Sequence, residues 1–358
     1  MNTLEELIEG IEPADREVME EAWKNWDSLC KPLRGLGWLE EAVVKIAGIC
    51  RTSCPHPDKV EDPNPVVVIM GADNGVVEEG VTQTDSSVTI QVLENMGDRL
   101  STACVMSNLA NCELIPVNIG CLTDGKHPRI RNMAVRHGTG NIVKGPAMTK
   151  EECIRAILTG ANLVKEMKEA GYDLVVTGEM GIGNTTTSSA CAAVLFDQDV
   201  EYVTGRGAGL SSEGLDRKIR AIKKAIQVNN PDPKDAVDVI SKVGGLDIAG
   251  MVGCYLGAAH EHMPILIDGF ISAVSAYLAG MLCPAAKEYM LATHCSTEPA
   301  AHLVLERLGM EAPLHAGMHL GEGTGAIMGL SLIDQGLNAY YHIATWDGAH
   351  VEAYEHQV

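Results

Sequence analysis

The chain reads as an α/β protein: a mostly parallel sheet with helices on both faces. Continuous apolar runs of strand length recur at "PVVVIMGADNG" (65–75), "CELIPVNIG" (112–120), "YDLVVTGEMG" (172–181) and "MPILIDGF" (263–270), as expected for strands buried on both faces. Helical stretches lie between them, and that alternation implies right-handed crossovers into one sheet. Aromatic residues are only 4% of a chain that is 46% hydrophobic and holds 37 Gly, so aliphatic and small side chains must pack the core.

In order along the chain, residues 1–60 read as a mostly helical segment. "EELIEGIEPADREVMEEAWKNWDSLC" has apolar residues at helical intervals with a break near Pro13, and "GWLEEAVVKIAGIC" (37–50) is a further helix. Residues 52–65 hold four Pro and form an irregular link. The main α/β unit is expected over 61–335, with helices at 86–110, 149–171, 185–197, 211–228, 246–262 and 271–282; residues 336–358 read as a C-terminal tail.

Composition excludes several classes. A net charge of −21 would repel a phosphate backbone, so no nucleic-acid partner is expected. No uncharged apolar run is long enough for a membrane span, and the acidic first ten residues lack the apolar stretch of a secretory leader. Eleven Cys without a C-x-x-C pair suit reduced thiols in a cytoplasm. Cys50, Cys54 and His56 are spaced only weakly like a zinc site, no second pair follows, and no metal is expected.

Ligands of open parallel sheets bind outside the carboxyl ends of the strands. There the chain places Asp73-Asn74-Gly75, Gly178-Glu179-Met180-Gly181 and Asp268-Gly269. "GEMGIGNTTTSSACAA" (178–193) approaches a Walker loop, but Asn184 stands where the lysine is required. Gly181 and Gly183 permit close backbone approach, and the helix start at Asn184 and Thr185 offers N–H and hydroxyl donors to an anion, best a monophosphate. An N-capping Asn-Thr after a Gly turn fits the same residues. In "GRGAGLSSEGLDRKIRAI" (205–222), Gly207 precedes a helix on which Lys218 lies about two turns in, within reach of a phosphate or simply solvated. Asp268 suits ribose hydroxyls or a helix cap. In "HLGEGTGAIMG" (319–329), Glu322 sits among glycines and apolar residues, either as a general base of raised pKa or in a surface turn.

Taken together, "KPLRGLGWLEEAVVKIAG", "GADNGVVEEGV", "GEMGIGNTT", "GRGAGL" with its following "DRK", "KVGGLDIAGMVG", "LIDGF", "HCSTEP" and "LGEGTGA" occur in order over roughly residues 25–335. They resemble the nicotinate-nucleotide:dimethylbenzimidazole phosphoribosyltransferase family. The resemblance implies a Rossmann-like domain, a small helical domain made from both chain ends, and a dimer whose partner contributes near the site. It implies Glu322 as the base that deprotonates the incoming aromatic, with Glu179 a second carboxylate in the site. Gly181, Gly207, Lys218 and Ser296 match positions that hold the nucleotide phosphate, and Asp268 one near the ribose. No cofactor is implied. Thr84, Gln91 and Val92 align with the acceptor pocket, to which Leu320 beside Glu322 is added. Asn74 replaces a usual His. The implied substrates are nicotinate mononucleotide and an aromatic base. Some relatives instead pair with a paralogue and activate phenol or p-cresol, so the chain is alternatively one such subunit or a weakly active, regulatory partner subunit, and both a homodimer and a heterodimer are compatible with the resemblance.

Overall fold

The computed structural model describes residues 1–52 and 64–353. Its strands are β1 (Pro65–Ala72), β2 (Glu113–Gly120), β3 (Arg131–Asn132), β4 (Leu174–Met180), β5 (Ile265–Ile267) and β6 (Met290–Ala292). They form one sheet in the order β3-β2-β1-β4-β5-β6, and every neighbouring pair is parallel. This is the doubly wound Rossmann order, whose direction of winding reverses between β1 and β4. Loops leaving those two strands diverge and open a crevice at their carboxyl ends.

Three helices precede the sheet: α1 (Leu4–Glu9), α2 (Arg16–Ser28) and α3 (Trp38–Cys50). Between β1 and β2 run α4 (Ser87–Gly97) and α5 (Thr102–Leu109), and α6 (Lys150–Glu169) leads into β4. The long crossover from β4 to β5 holds α7 (Asn184–Phe196), α8 (Val200–Val203), α9 (Ser212–Asn229), α10 (Ala236–Val243) and α11 (Leu246–His260). After β5 come α12 (Phe270–Leu282), then α13 (Ala301–Leu308), α14 (Thr324–His342) and α15 (Trp346–Ala349) beyond β6.

All of β1 is buried, and its period-2 alternation serves both faces. Met70 lies against Gly250 of α11, while the adjacent Gly71 faces Leu93 of α4. Helices α6 and α11 approach backbone to backbone: a methyl at Gly160 would stand 2.0 Å from the Gly250 carbonyl oxygen. The glycine-rich composition is thus spent on one very close helix pair beneath the sheet. The two chain ends meet. Trp26 packs edge-on against Tyr340 with ring centroids 5.0 Å apart, and the Cys30 N–H donates to the Ala344 carbonyl across 2.8 Å. Helix α14 runs unbroken through residues 335 and 336.

Several expectations need correction. The single helix expected at 86–110 is two helices, broken at Asp98–Ser101, where Arg99 takes a left-handed φ of 64°. Strands β3 and β6 and helices α8, α10, α13, α14 and α15 are additions to the sequence reading. The weak metal spacing cannot be followed, because Cys54 and His56 lie outside the described residues. Burial pushes the Cys50 thiol up to about 11. Among the described residues no cluster of His, Cys, Asp and Glu is suited to a metal ion, and no helix is long and apolar enough to cross a membrane.

Candidate active site

At the carboxyl edge of the sheet lies a cavity of about 380 Å³, within the range of small-molecule sites. Its wall includes Thr84, Glu179, Gly181, Gly183, Asn184, Thr185, Gly207, Asp268, Ser296, Leu320 and Glu322. Segments from six parts of the chain therefore converge on one space.

The glycine loop decides between its two readings. Strand β4 ends at Met180, and Gly183, with φ 95°, turns the chain into α7. No side chain caps that helix; instead the Asn184 side-chain amide donates to the Glu179 carboxylate. The loop has no room for a side chain at Gly181, where a methyl would meet Asp247 Oδ2 at 2.6 Å and the Ala72 carbonyl oxygen at 2.7 Å. Glu179 is buried, and burial pushes its pKa up to about 8, with the Asp247 and Asp268 charges adding. Beneath the loop, the Asn74 amide lies 3.4 Å from Asp247 Oδ2, and burial raises Asp247 to about 6.

A cation reaches the loop from another element: Lys218 of α9. It shares a buried face with Ala221, Ile222 and Ala225, while Lys223 turns outward to Glu201 at 2.5 Å. Its Nζ donates to Thr185 Oγ1 at 2.8 Å and to the Gly205 carbonyl at 3.1 Å. Gly207, at φ 53°, closes the corner: a methyl on it would lie 2.9 Å from Thr185 Oγ1 and 3.6 Å from Lys218 Nζ. Burial lowers the lysine to about 8, opposed by the Glu298 charge. Lys218 itself sits just behind the cavity wall, with Thr185 in front of it.

Glu322 occupies a left-handed turn, φ 58°, between Gly321 at 85° and Gly323 at 72°. The turn lies on Gly178 of β4, where a methyl would meet the Gly323 nitrogen at 2.8 Å. Burial raises the Glu322 pKa, the Ala103 N–H at 3.5 Å opposes that rise, and the Asp268 charge adds to it. Asp268 works as a cap: its Oδ1 accepts from the Ala326 N–H at 3.0 Å, tying the start of α14 to the end of β5. Burial lifts it to about 6 against several backbone N–H donors.

Two of the four acceptor-pocket residues stand apart. Thr84 and Leu320 line the cavity, but Gln91 and Val92 do not. Helix α4 turns Thr89, Leu93 and Met96 inward, which leaves Gln91 exposed near Ser87 and Val92 half-buried against the core. A position shifted by one residue points about 100° away. Gln83 takes part instead: its amide donates to the Ala208 and Gly209 carbonyls at 2.8 and 2.5 Å, bridging the 81–84 segment to the Gly207 loop.

A model of a family described as phosphoribosyltransferase matches residues 11–351. The chain belongs to the phosphoribosyltransferase family. Relatives named nicotinate-nucleotide–dimethylbenzimidazole phosphoribosyltransferase, from Ruminiclostridium cellulolyticum and Acetivibrio thermocellus, are each 44% identical over 353 residues, covering 99% of both chains. The crystal structure of CobT from Thermus thermophilus superposes with a TM-score of 0.87 at 34% identity, covering 94% of this chain and 100% of that one. In this phosphoribosyltransferase, sequence reasoning missed His294, Glu298, Arg206, Met318 and His319, all on the cavity wall. The motif "HCSTEP" stands out in the sequence, but only its Ser296 carries an expected role there.

Proposed function

We propose that the protein moves the 5-phosphoribosyl group of nicotinate mononucleotide to dimethylbenzimidazole, giving nicotinate and an α-ribotide for cobamide assembly. The observation that carries this reading is that a half-buried carboxylate of raised pKa, Glu322, shares one cavity with Thr185 and Gly207, behind which Lys218 donates to Thr185. The corner holds the phosphate, and Gly181, Gly183, Asn184 and Ser296 complete its wall. Glu322 faces the acceptor beside Leu320 and Thr84.

The incoming ring nitrogen bonds to C1′ of the ribosyl group while the bond from C1′ to the pyridinium nitrogen breaks. That electron pair stays on the departing nicotinate ring, so no acid is required on the leaving side. The proton of the acceptor nitrogen passes to Glu322. Attack on the opposite face inverts the β-nucleotide to the α-ribotide. Positive charge that develops on the ribosyl ring is stabilised by the Asp268 carboxylate at the end of β5. Asp268 orients the ribose side of the cavity from its post at the start of α14.

Leu100, Val105 and Leu109 expose apolar side chains on and beside α5, which supports a dimer, and the ten described cysteines are free, which suits a reducing cytoplasm. The test is incubation with nicotinate mononucleotide and, in separate reactions, dimethylbenzimidazole, adenine, phenol or p-cresol. Nicotinate release with dimethylbenzimidazole is expected from the protein alone. Release with a phenol only, or only after a paralogue is added, would replace the acceptor or the assembly. No release under any of these conditions would overturn the transfer itself.

A further inference from the structure

His294 follows β6 and lines the cavity, yet it is only 4% exposed and neither ring nitrogen has a hydrogen-bond partner. Buried polar groups are nearly always satisfied, so a stranded imidazole at a cavity wall calls for an occupant that supplies the bond. The ring is firmly placed. A methyl at Gly325, in the first turn of α14, would stand 2.5 to 2.6 Å from His294 Cβ, Cγ and Nδ1, so that turn lies flat against the ring. From Gly269, the residue before α12, the same construction meets Ser296 Cβ at 3.4 Å, Ser296 Oγ at 3.9 Å and His294 Nδ1 at 4.0 Å. The imidazole and the Ser296 hydroxyl thus converge beside a helix start.

The neighbouring carboxylate does not satisfy the ring, since Asp268 is engaged by the backbone at the start of α14. Burial, with His315 adding, pushes the His294 pKa down, so the ring is neutral and offers one N–H and one lone pair. A hydroxyl and a helix start are donors to an oxyanion, and a neutral imidazole beside them adds a third.

We infer that His294 is a further binding residue of this site, donating a ring N–H to a phosphate-monoester oxygen of the substrate next to Ser296. The inference rests on the proposed function only for the identity of the nucleotide. It is tested by direct binding, without turnover, of nicotinate mononucleotide, nicotinate riboside and inorganic phosphate to wild type, His294→Leu and His294→Asn. His294→Leu should weaken the nucleotide and inorganic phosphate by about 10- to 100-fold, as expected for a lost hydrogen bond to a charged group. The riboside, which has no phosphate, should change much less, and His294→Asn, which keeps an N–H donor, should recover most of the loss.

Equal weakening of nucleotide and riboside would overturn the inference, because the ring would then serve the ribose or merely pack. Should the leucine variant fail to fold, the His294 imidazole ¹⁵N resonances of wild type must still shift on addition of inorganic phosphate; unchanged resonances would overturn it as well. Absence of nicotinate release in the acceptor screen would sink the transfer reaction and leave phosphate binding by His294 to be judged by these measurements.

Discussion

Lys218 Nζ donates to Thr185 Oγ1 across 2.8 Å, joining the first turn of α7 to a helix 33 residues further along the chain. A Walker loop carries its lysine in the loop itself; here the cation arrives from another element. Nothing on the loop needs to contact a second or third phosphate, which suits a substrate with one.

Lys218→Met should weaken nicotinate mononucleotide binding by about 10- to 100-fold, measured by calorimetry. The same variant carries a stability signature. Burial holds the folded pKa near 8, below the ordinary 10.5, so the unfolded chain binds more protons between those values. Stability of the free protein therefore rises as pH climbs from about 8 to 10.5, and that rise should be absent from urea titrations of Lys218→Met.

Glu322→Gln should lower turnover by about 10² to 10⁴ while leaving nucleotide affinity close to wild type. Only the ionised carboxylate accepts the proton, and burial raises its pKa above 4.5. Wild-type activity should fall as the pH drops through that raised value. A pH–rate profile of the glutamine variant should lack this acid limb, and near-normal turnover would exclude Glu322 as the base.

Glu179 makes the opposite kind of prediction. Its folded pKa of about 8 exceeds the ordinary 4.5, so the folded state holds a proton that the unfolded state releases between those values. Stability from this group is full at low pH and declines as pH rises through 4.5 towards 8. Glu179→Gln mimics the protonated form and can still accept from the Asn184 amide. Thermal melts of the variant should show a flatter pH dependence over that window, with equal or higher stability near pH 8.

Gly160→Ala tests the helix pair beneath the sheet. A methyl there meets the Gly250 carbonyl at 2.0 Å, so α6 and α11 must separate. Overpacking of this kind costs roughly 1–3 kcal/mol, to be read from chemical denaturation. An unchanged midpoint would mean that the helices are free to shift.

The fold was legible where burial is uniform. Four of the strands announce themselves as unbroken apolar runs ending in Gly, Asp or Asn, because a parallel strand covered on both faces has no polar side to show. Strand β3 is two residues, too short for a pattern to register, and β6, as short as β5, runs into Thr293 and His294 and lacks the Asp-Gly turn that marks the end of β5. The break at Arg99 depends on a left-handed backbone that no proline marks. In the cavity, glycine punctuation and motif order led to Glu322, Glu179, Thr185 and Gly207, because close backbone approach leaves a trace in the sequence. Gln91 and Val92 lie off the cavity wall because helix phase is set by how α4 packs, with Thr89, Leu93 and Met96 turned inward. His294 left no trace: an orphaned imidazole is defined by what fails to surround it.

The turn Gly321–Glu322–Gly323 also bears on how such a protein diversifies. Three successive left-handed residues fix the acid, and a side chain added at Gly321 would meet Glu179 Oε1 at 2.5 Å. Drift in that wall would move both carboxylates together. The opposing segment, Thr82 to Thr84, is held to the Gly207 loop by one glutamine amide, which leaves the exposed Thr84 free to vary. New acceptors can therefore be explored by substitution on one side of the cavity while the reaction is inherited unchanged on the other.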